Sequence, residues 1–222
     1  MRKALSLLLC LLMPLGMMAA DKPTITTYTH LDMYLMGMSN NGQWGLIYGS
    51  EECVNSPMIV NLKTKAVTPL QSEDETKTIG VCTAKDVTDD GNIVVGSYKG
   101  HPAYLNRSTG KWTELVAKSG ELLSVTPDGK YAVGATNNGG DYAGEIGWFT
   151  EEQGIMFDLA TNQEVKFGNF TIAVQDPKGE SVTMTRFIGV SPDGRYVLAR
   201  ILSGAEYFGY VIDRTKSGTE AC

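Results

Sequence analysis

The sequence predicts an all-β fold built from about four copies of one supersecondary unit. Two short phrases recur in the same order along the 222 residues, and no stretch after the N-terminal segment shows a helical period of apolar residues. Apolar residues alternate or cluster in short runs instead, as they do in strands. Four strands per repeat at roughly 40–50 residues is typical of β-propeller blades. We therefore expect a small β-propeller of about four blades, or a fragment of a larger propeller.

The first phrase is a hairpin: an apolar strand, a polar turn that ends in glycine, and a second apolar strand. Pro fixes φ in such a turn, Asp or Asn bonds the local backbone, and Gly takes the positive φ that closes it. The four turns end at Gly42, Gly91, Gly129 and Gly194. The strands predicted to follow them span residues 44–48, 93–96, 131–134 and 196–201.

The second phrase is an apolar strand that ends in Asn or Asp and leads into a short polar turn. Its copies span residues 58–62, 103–106, 156–159 and 210–213. A further strand is predicted in three copies, at 66–70, 111–115 and 164–167, whereas only nine residues follow Asp213 and leave little room for one. An extra hairpin is predicted at 171–174 and 182–185. A β-sandwich also has short strands and frequent turns, but it gives no reason for one phrase to repeat, so the pattern favours propeller blades.

The turns Thr126-Pro-Asp-Gly129 and Ser191-Pro-Asp-Gly194, with their strand-ending Asp, resemble the WD40-like repeats of TolB-type propellers. Residues 84–96 resemble the HAF extracellular repeat of bacterial secreted proteins. These resemblances imply an exported propeller-like fold and place no family catalytic residue on any position here. The first copy departs from the pattern, because Asn40 and Asn41 replace the turn acid, and the third copy is enlarged.

The N-terminus has the layout of a secretory signal peptide. Arg2 and Lys3 precede an apolar run over 4–15, and small residues end at Ala20. The run is shorter than the roughly 20 apolar residues of a spanning helix. We expect residues 1–20 to be removed, leaving a propeller-like domain over 21–222 with no membrane span, in the periplasm or outside the cell.

Net charge bears on the expected partners, and cysteine content bears on a possible disulfide. The formal net charge is −6 and the chain has no Lys/Arg stripe, so nucleic acid is not an expected partner. In an oxidising compartment Cys53 and Cys82 form the natural disulfide pair. Burial of both as small apolar side chains is an equally good interpretation of the sequence.

Familiar catalytic and metal-binding motifs are missing from the sequence. His30 and His101 are its two histidines, and it has no Cys-x-x-Cys, nucleophile-elbow or phosphate-binding glycine motif. The acidic clusters at 73–75 and 89–90 lack calcium-loop spacing and are interpreted as solvated turns. We predict no catalytic residue, no metal and no cofactor. The paired carboxylates of a glycosidase would leave no sequence spacing, so a glycan-active or peptidase-associated propeller, or a truncated part of one, is the alternative.

The leading hypothesis is a non-catalytic binding or scaffold protein with a protein or glycan ligand. Connections between second and third strands open on one face of a propeller, where ligands dock. Candidate binding residues on that face are Tyr98, His101, Tyr142 and Tyr207, although an ordinary exposed loop histidine also explains His101. The tryptophans Trp44, Trp112 and Trp148 are expected to pack between blades instead.

The ends of the chain are predicted to meet. Residues 24–29 form a β-branched, strand-like segment before the first repeat. Because unpaired strand edges are a liability that closed rings remove, we expect this segment to pair with the blade that holds residues 210–213.

Overall fold

The computed structural model of the chain describes residues 33–49, 57–71, 81–137, 152–166, 174–175, 181–182, 186–203 and 206–216, all within the unit Asp32–Cys222. Every regular element in these ranges is a β-strand, and every pairing is antiparallel. The strands form four sheets of three or four strands, one after another along the chain. The predicted all-β, blade-by-blade architecture is confirmed.

Each sheet is a meander in which consecutive strands are hydrogen-bonded neighbours. Sheet 1 contains β1 (Met33–Met38), β2 (Trp44–Gly49), β3 (Pro57–Asn61) and β4 (Val67–Pro69). Sheet 2 contains β5 (Cys82–Val87), β6 (Ile93–Tyr98), β7 (His101–Asn106) and β8 (Lys111–Glu114). Sheet 3 contains β9 (Gly120–Val125), β10 (Tyr131–Asn137), β11 (Glu152–Asp158) and β12 (Gln163–Glu164).

Sheet 4 has three strands in the described part of the chain, β15 (Arg186–Val190), β16 (Tyr196–Ser203) and β17 (Glu206–Asp213). Between sheets 3 and 4 the chain forms a small hairpin of β13 (Val174–Gln175) and β14 (Ser181–Val182). The pair Val174–Val182 joins the two strands predicted for the extra hairpin, whereas Gln175–Ser181 pairs residues of the predicted connection. The rest of the predicted strands lies outside the described residues.

The four glycine turns have the predicted chemistry. Their glycines take φ values of 69–73°, the left-handed region that favours glycine. In the turn that ends at Gly129, the Thr126 hydroxyl donates to Asp128 Oδ1 at 2.6 Å and accepts from the Tyr131 amide at 3.0 Å. Ser/Thr and Asp at equivalent positions make the same bonds in sheets 2 and 4. Asn41 takes the acid's role in sheet 1, since its Oδ1 accepts from the Ser39 hydroxyl and the Gln43 amide.

Three apolar cores lie between successive sheets. Side chains that follow each turn glycine alternate between the face toward the next sheet, called the front face, and the opposite back face. Leu46 of sheet 1 thus packs against Val94 of sheet 2, and Val133 of sheet 3 packs against Val197 of sheet 4. Trp44 and Trp112 are partly buried against the first core, as expected of tryptophans that pack between blades.

The first strand of every sheet carries a β-bulge at the same place. The register with the second strand shifts once, at Met36 in β1, Lys85 in β5, Leu123 in β9 and Ile188 in β15. A bulge re-aims the side chain of the extra residue. The sequence patterns did not predict these bulges.

Several predictions fall on residues outside the described ranges. They concern the signal peptide at 1–20, the segment 24–29 that was expected to close the ring, Cys53 and Trp148. The expected disulfide therefore stays a prediction, although its other partner, Cys82, is buried in β5. Within the described ranges, no helix is long and apolar enough to cross a membrane.

Candidate functional site

Polar side chains from all four sheets gather near the start of the first strands. Lys85 Nζ lies 3.2 Å from Glu121 Oε2, and Arg186 Nη2 lies 2.5 Å from Glu121 Oε1. Tyr48 of sheet 1 belongs to the same group, because its hydroxyl accepts a 2.8 Å hydrogen bond from the Ala84 amide, next to Lys85. We call Tyr48, Lys85, Glu121 and Arg186 the inner cluster.

Local structure places each member of the inner cluster. Lys85 occupies the bulge of β5, which turns its side chain away from the regular alternation and toward the first strand of sheet 3. Glu121 and Arg186 hold equivalent positions, each the same number of residues before its turn glycine. Sheet packing then brings these equivalent positions together, although 65 residues separate them along the chain.

The inner cluster is neither buried nor freely solvated. The side chains of Lys85, Glu121 and Arg186 retain 30%, 22% and 18% exposure, so a ligand is able to reach all three. Ion pairs at partial burial are stronger than fully exposed pairs, because less water screens them. Burial raises the pKa of the Tyr48 hydroxyl above its ordinary value, and the nearby charge of Glu121 adds to that rise.

A partly buried carboxylate, that of Asp86, lies beside the inner cluster and joins sheets 2 and 3. Asp86 Oδ2 accepts hydrogen bonds from the Val125 amide at 2.9 Å and the Ser124 hydroxyl at 3.1 Å, and Oδ1 accepts from the Val87 amide at 2.8 Å. Burial raises the pKa of Asp86 above its ordinary value, although these donors oppose the shift. The bonds from Ser124 and Val125 link β5 to β9, and the bond from Val87 lies within β5, so the carboxylate has a structural role.

Tyr98 and His101, two of the sequence-predicted binding residues, flank one hairpin turn. Lys99 and Gly100 form that two-residue turn with φ values of 52° and 81°, and Tyr98 pairs directly with His101. The Gly100 carbonyl accepts a 2.9 Å hydrogen bond from the Gly120 amide. Since Glu121 follows Gly120, this hairpin lies at the same end of the sheets as the inner cluster.

Tyr98 and His101 are each engaged by neighbours. The Tyr98 ring stacks on the Trp112 ring at a centroid distance of 5.6 Å, with Lys99 Nζ 5.0 Å from its centroid. His101 is the first residue of β7 rather than a loop residue, and its Nδ1 lies 3.2 Å from the Lys118 carbonyl oxygen.

The side chains of the other two sequence-predicted binding residues lie outside the description. Tyr207 lies in β17 opposite Leu202, with its side chain outside the description. Tyr142 lies wholly outside the described residues.

Among the described residues, no group of three His, Cys, Asp or Glu side chains is placed to hold a metal ion. The two acidic residues at 89–90 make different contacts. Asp90 accepts hydrogen bonds within its own turn, and Asp89 Oδ1 accepts a 2.8 Å hydrogen bond from the Asn41 amide of sheet 1. That pair therefore connects two sheets, which the interpretation as a solvated turn did not include.

Two solved structures of TolB are similar to this chain. TolB from Acinetobacter baumannii aligns with a TM-score of 0.58 at 16% sequence identity, over 88% of this chain and 44% of that one. The putative TolB from Agrobacterium tumefaciens aligns with a TM-score of 0.54 at 11% identity, over 84% of this chain and 60% of that one. No family model and no curated protein matches the sequence.

These similarities concern the fold. The chain spans about half the length of the two TolB structures that it matches, and at such low identity side-chain roles do not transfer. The more specific WD40-like and HAF repeat resemblances remain expectations from the sequence. The four described sheets and the two similar TolB structures together establish a TolB-like β-propeller fold.

Proposed function

We propose that this chain is an exported, non-catalytic β-propeller protein that binds a protein or glycan ligand at the end of the sheets that carries the inner cluster. The observation that supports this most directly is the convergence of Tyr48, Lys85, Glu121 and Arg186 from four different sheets on one partly exposed place. Side chains from several structural elements that meet at one partly open place are what binding sites require.

The charge of the inner cluster favours a ligand with an anionic group. Among the described side chains of the inner cluster, Lys85 and Arg186 are cations and Glu121 is a carboxylate, in a chain whose formal net charge is −6. A local positive surplus on an acidic protein attracts carboxylate or phosphate groups to that place in preference to the remaining surface. Arg186 also offers the planar, multi-donor geometry that suits carboxylates.

The binding proposal is tested on an array of acidic peptides and uronic-acid-containing oligosaccharides. The Lys85→Gln variant is compared with Lys63→Gln, which removes the same charge from an exposed turn after β3. We expect at least a roughly tenfold loss of affinity in the first variant, as for a central contact residue, and none in the second. Equal affinities of both variants would show that the ligand does not bind at the inner cluster.

The non-catalytic part of the proposal has its own test. Incubation of the protein with the same peptides and oligosaccharides should leave every substrate intact when the products are separated by mass. Turnover that disappears in Glu121→Gln or Asp86→Asn, with the fold retained, would instead show that the protein is an enzyme.

Export is the third part of the proposal, and the signal-peptide pattern of residues 1–20 supports it. Mass spectrometry of the protein recovered from periplasm or medium should find an N-terminus near Asp21. Intact Met1 in a membrane fraction would contradict export in this form.

A further inference from the structure

The three junctions between successive sheets repeat one contact. The turn glycine of each later sheet lies against the second residue after the turn glycine of the sheet before it. A Cβ on Gly91 would overlap the Trp44 indole, and one on Gly194 would overlap the Tyr131 ring. At the middle junction a Cβ on Gly129 would lie 3.5 Å from Ile93 Cγ1. At the first and third junctions the glycine therefore gives an aromatic side chain of the preceding sheet the room to reach its backbone, and at the middle junction the two residues are in ordinary van der Waals contact.

A second side chain of the later sheet completes two of these junctions. Arg107, just after β7, places its guanidinium carbon 4.9 Å from the Trp44 ring centroid and donates to the Gly91 carbonyl at 2.6 Å. Arg214, just after β17, lies 4.6 Å from the Tyr131 ring centroid and donates to the Gly194 carbonyl at 2.5 Å. At these two junctions the earlier sheet contributes an aromatic ring, and the later sheet contributes a turn glycine and an arginine.

The two surfaces that form such a junction are each exposed once among the described sheets, on the back face of sheet 1 and on the front face of sheet 4. In sheet 1, no described atom lies within 4 Å of where a Cβ on Gly42 would be, and Leu35 on the same back face is 59% exposed. In sheet 4, Tyr196 holds the position of Trp44 and Tyr131, and it is exposed.

The front face of sheet 4 is apolar beyond Tyr196 as well. Leu198 is 42% exposed and Val211, its partner across the strands, is 56% exposed. The residues at the position of Leu198 in the other three sheets are completely buried against the next sheet: Leu46, Val95 and Val133. The front face of sheet 4 is therefore built like an internal sheet interface.

We propose that the front face of sheet 4, made by Tyr196, Leu198 and Val211, docks on the back face of sheet 1 of a second copy, at Gly42 and Leu35. The three internal junctions indicate what would cover this front face. In each of them a front face packs against the turn glycine and the back face of a sheet of the same repeat. An unequal pair of surfaces makes a head-to-tail contact, and two such contacts close a ring of two copies. The four described sheets of each copy would give the ring eight blades, within the range of known propellers.

The oligomeric state of the exported full chain tests this proposal. Sedimentation velocity over a range of about 1–100 µM should show a dimer that dissociates reversibly on dilution. Leu198→Glu and Leu35→Glu should each weaken the dimer at least tenfold, because a charge is then buried at both junctions. Ala66→Glu adds the same charge at an exposed turn and should leave the dimer unchanged.

Mixing the two damaged variants separates this geometry from others. One junction of a mixed pair joins wild-type Leu198 to wild-type Leu35, so an equimolar mixture should recover an open dimer that neither variant forms alone. A protein that is monomeric at all concentrations, a larger polymer, or a dimer that Leu35→Glu does not affect would each overturn the proposal. Unchanged circular dichroism and melting of both variants confirm that the fold is retained, because both side chains are exposed.

Discussion

Replacing the turn glycine at a sheet junction should destabilise the protein far more than replacing the equivalent glycine of sheet 1, which no described sheet precedes. Gly91 and Gly42 are matched for this purpose, since their φ values are 71° and 69° and both end the same kind of turn. They differ in surroundings. A Cβ on Gly91 would overlap the Trp44 indole, whereas a Cβ on Gly42 meets no described atom within 4 Å.

The expected magnitudes follow from two separable costs. An L side chain in the left-handed region costs about 1–2 kcal/mol, and reduced freedom of the unfolded chain returns about 0.4–1 kcal/mol of that. Gly42→Ala should therefore lower the free energy of unfolding by about 1 kcal/mol. Gly91→Ala adds the displacement of a packed aromatic ring, typically about 1–3 kcal/mol, for a total of about 2–4 kcal/mol.

Urea unfolding followed by tryptophan fluorescence measures both variants, with the midpoint and the slope fitted separately. The Leu198→Glu background is used throughout, so that docking of a second copy on Gly42 does not contribute. Gly129→Ala should fall between the two, because its Cβ would meet Thr88 Cγ2 at 3.2 Å, a contact that a small shift relieves. Equal losses in Gly42→Ala and Gly91→Ala would refute the view that turn glycines exist partly to seat the neighbouring sheet.

Further predictions concern ionisation and the disulfide. Burial raises the pKa of Asp86, so the contribution of this carboxyl to folding is present below its ordinary pKa of 3.8 and is lost as pH rises through the raised pKa. The stability of wild type relative to Asp86→Asn should therefore fall over that pH range. A difference that stays flat or rises would contradict this prediction. The pKa of Asp213 shifts in the opposite direction, because the Arg195 guanidinium at 2.7 Å lowers it. Wild type should therefore be more stable than Asp213→Asn above about pH 4, and this advantage should decline as pH falls further. An advantage that persists unchanged at lower pH would count against a stabilising Arg195–Asp213 ion pair. Non-reducing peptide mapping of the exported protein should find Cys53 linked to Cys82, and alkylation of both thiols in the native protein would exclude that bond.

Strand positions and turn types were predictable because local chemistry determines them. A Thr or Ser, an Asp and a Gly at fixed spacing close a turn through bonds within that turn, as Thr126 and Asp128 do. The apolar runs on either side then pair with their immediate neighbours in sequence. The four copies, the described strands of the fourth sheet and the extra hairpin all depend on interactions between residues close in the chain.

The candidate site was not predictable in the same way. Lys85 reaches Glu121 because a bulge re-aims it, and nothing in the residues around Lys85 distinguishes a bulge from regular pleating. One signal was present, since Glu121 and Arg186 occupy equivalent positions before their turn glycines. Aligning the repeats by those glycines would have paired them, whereas a search for catalytic motifs passed over both.

The sequence by itself determined that this chain folds as a succession of small antiparallel sheets, because turn closure and strand pairing involve residues near one another. Tertiary structure alone decided which side chains meet across sheets: Trp44 with Gly91, Asp86 with Val125, and the inner cluster. The physical reason is that a strand's alternation specifies two faces but not their neighbours. Which face is covered, and which remains open as at Leu198, depends on how successive sheets stack.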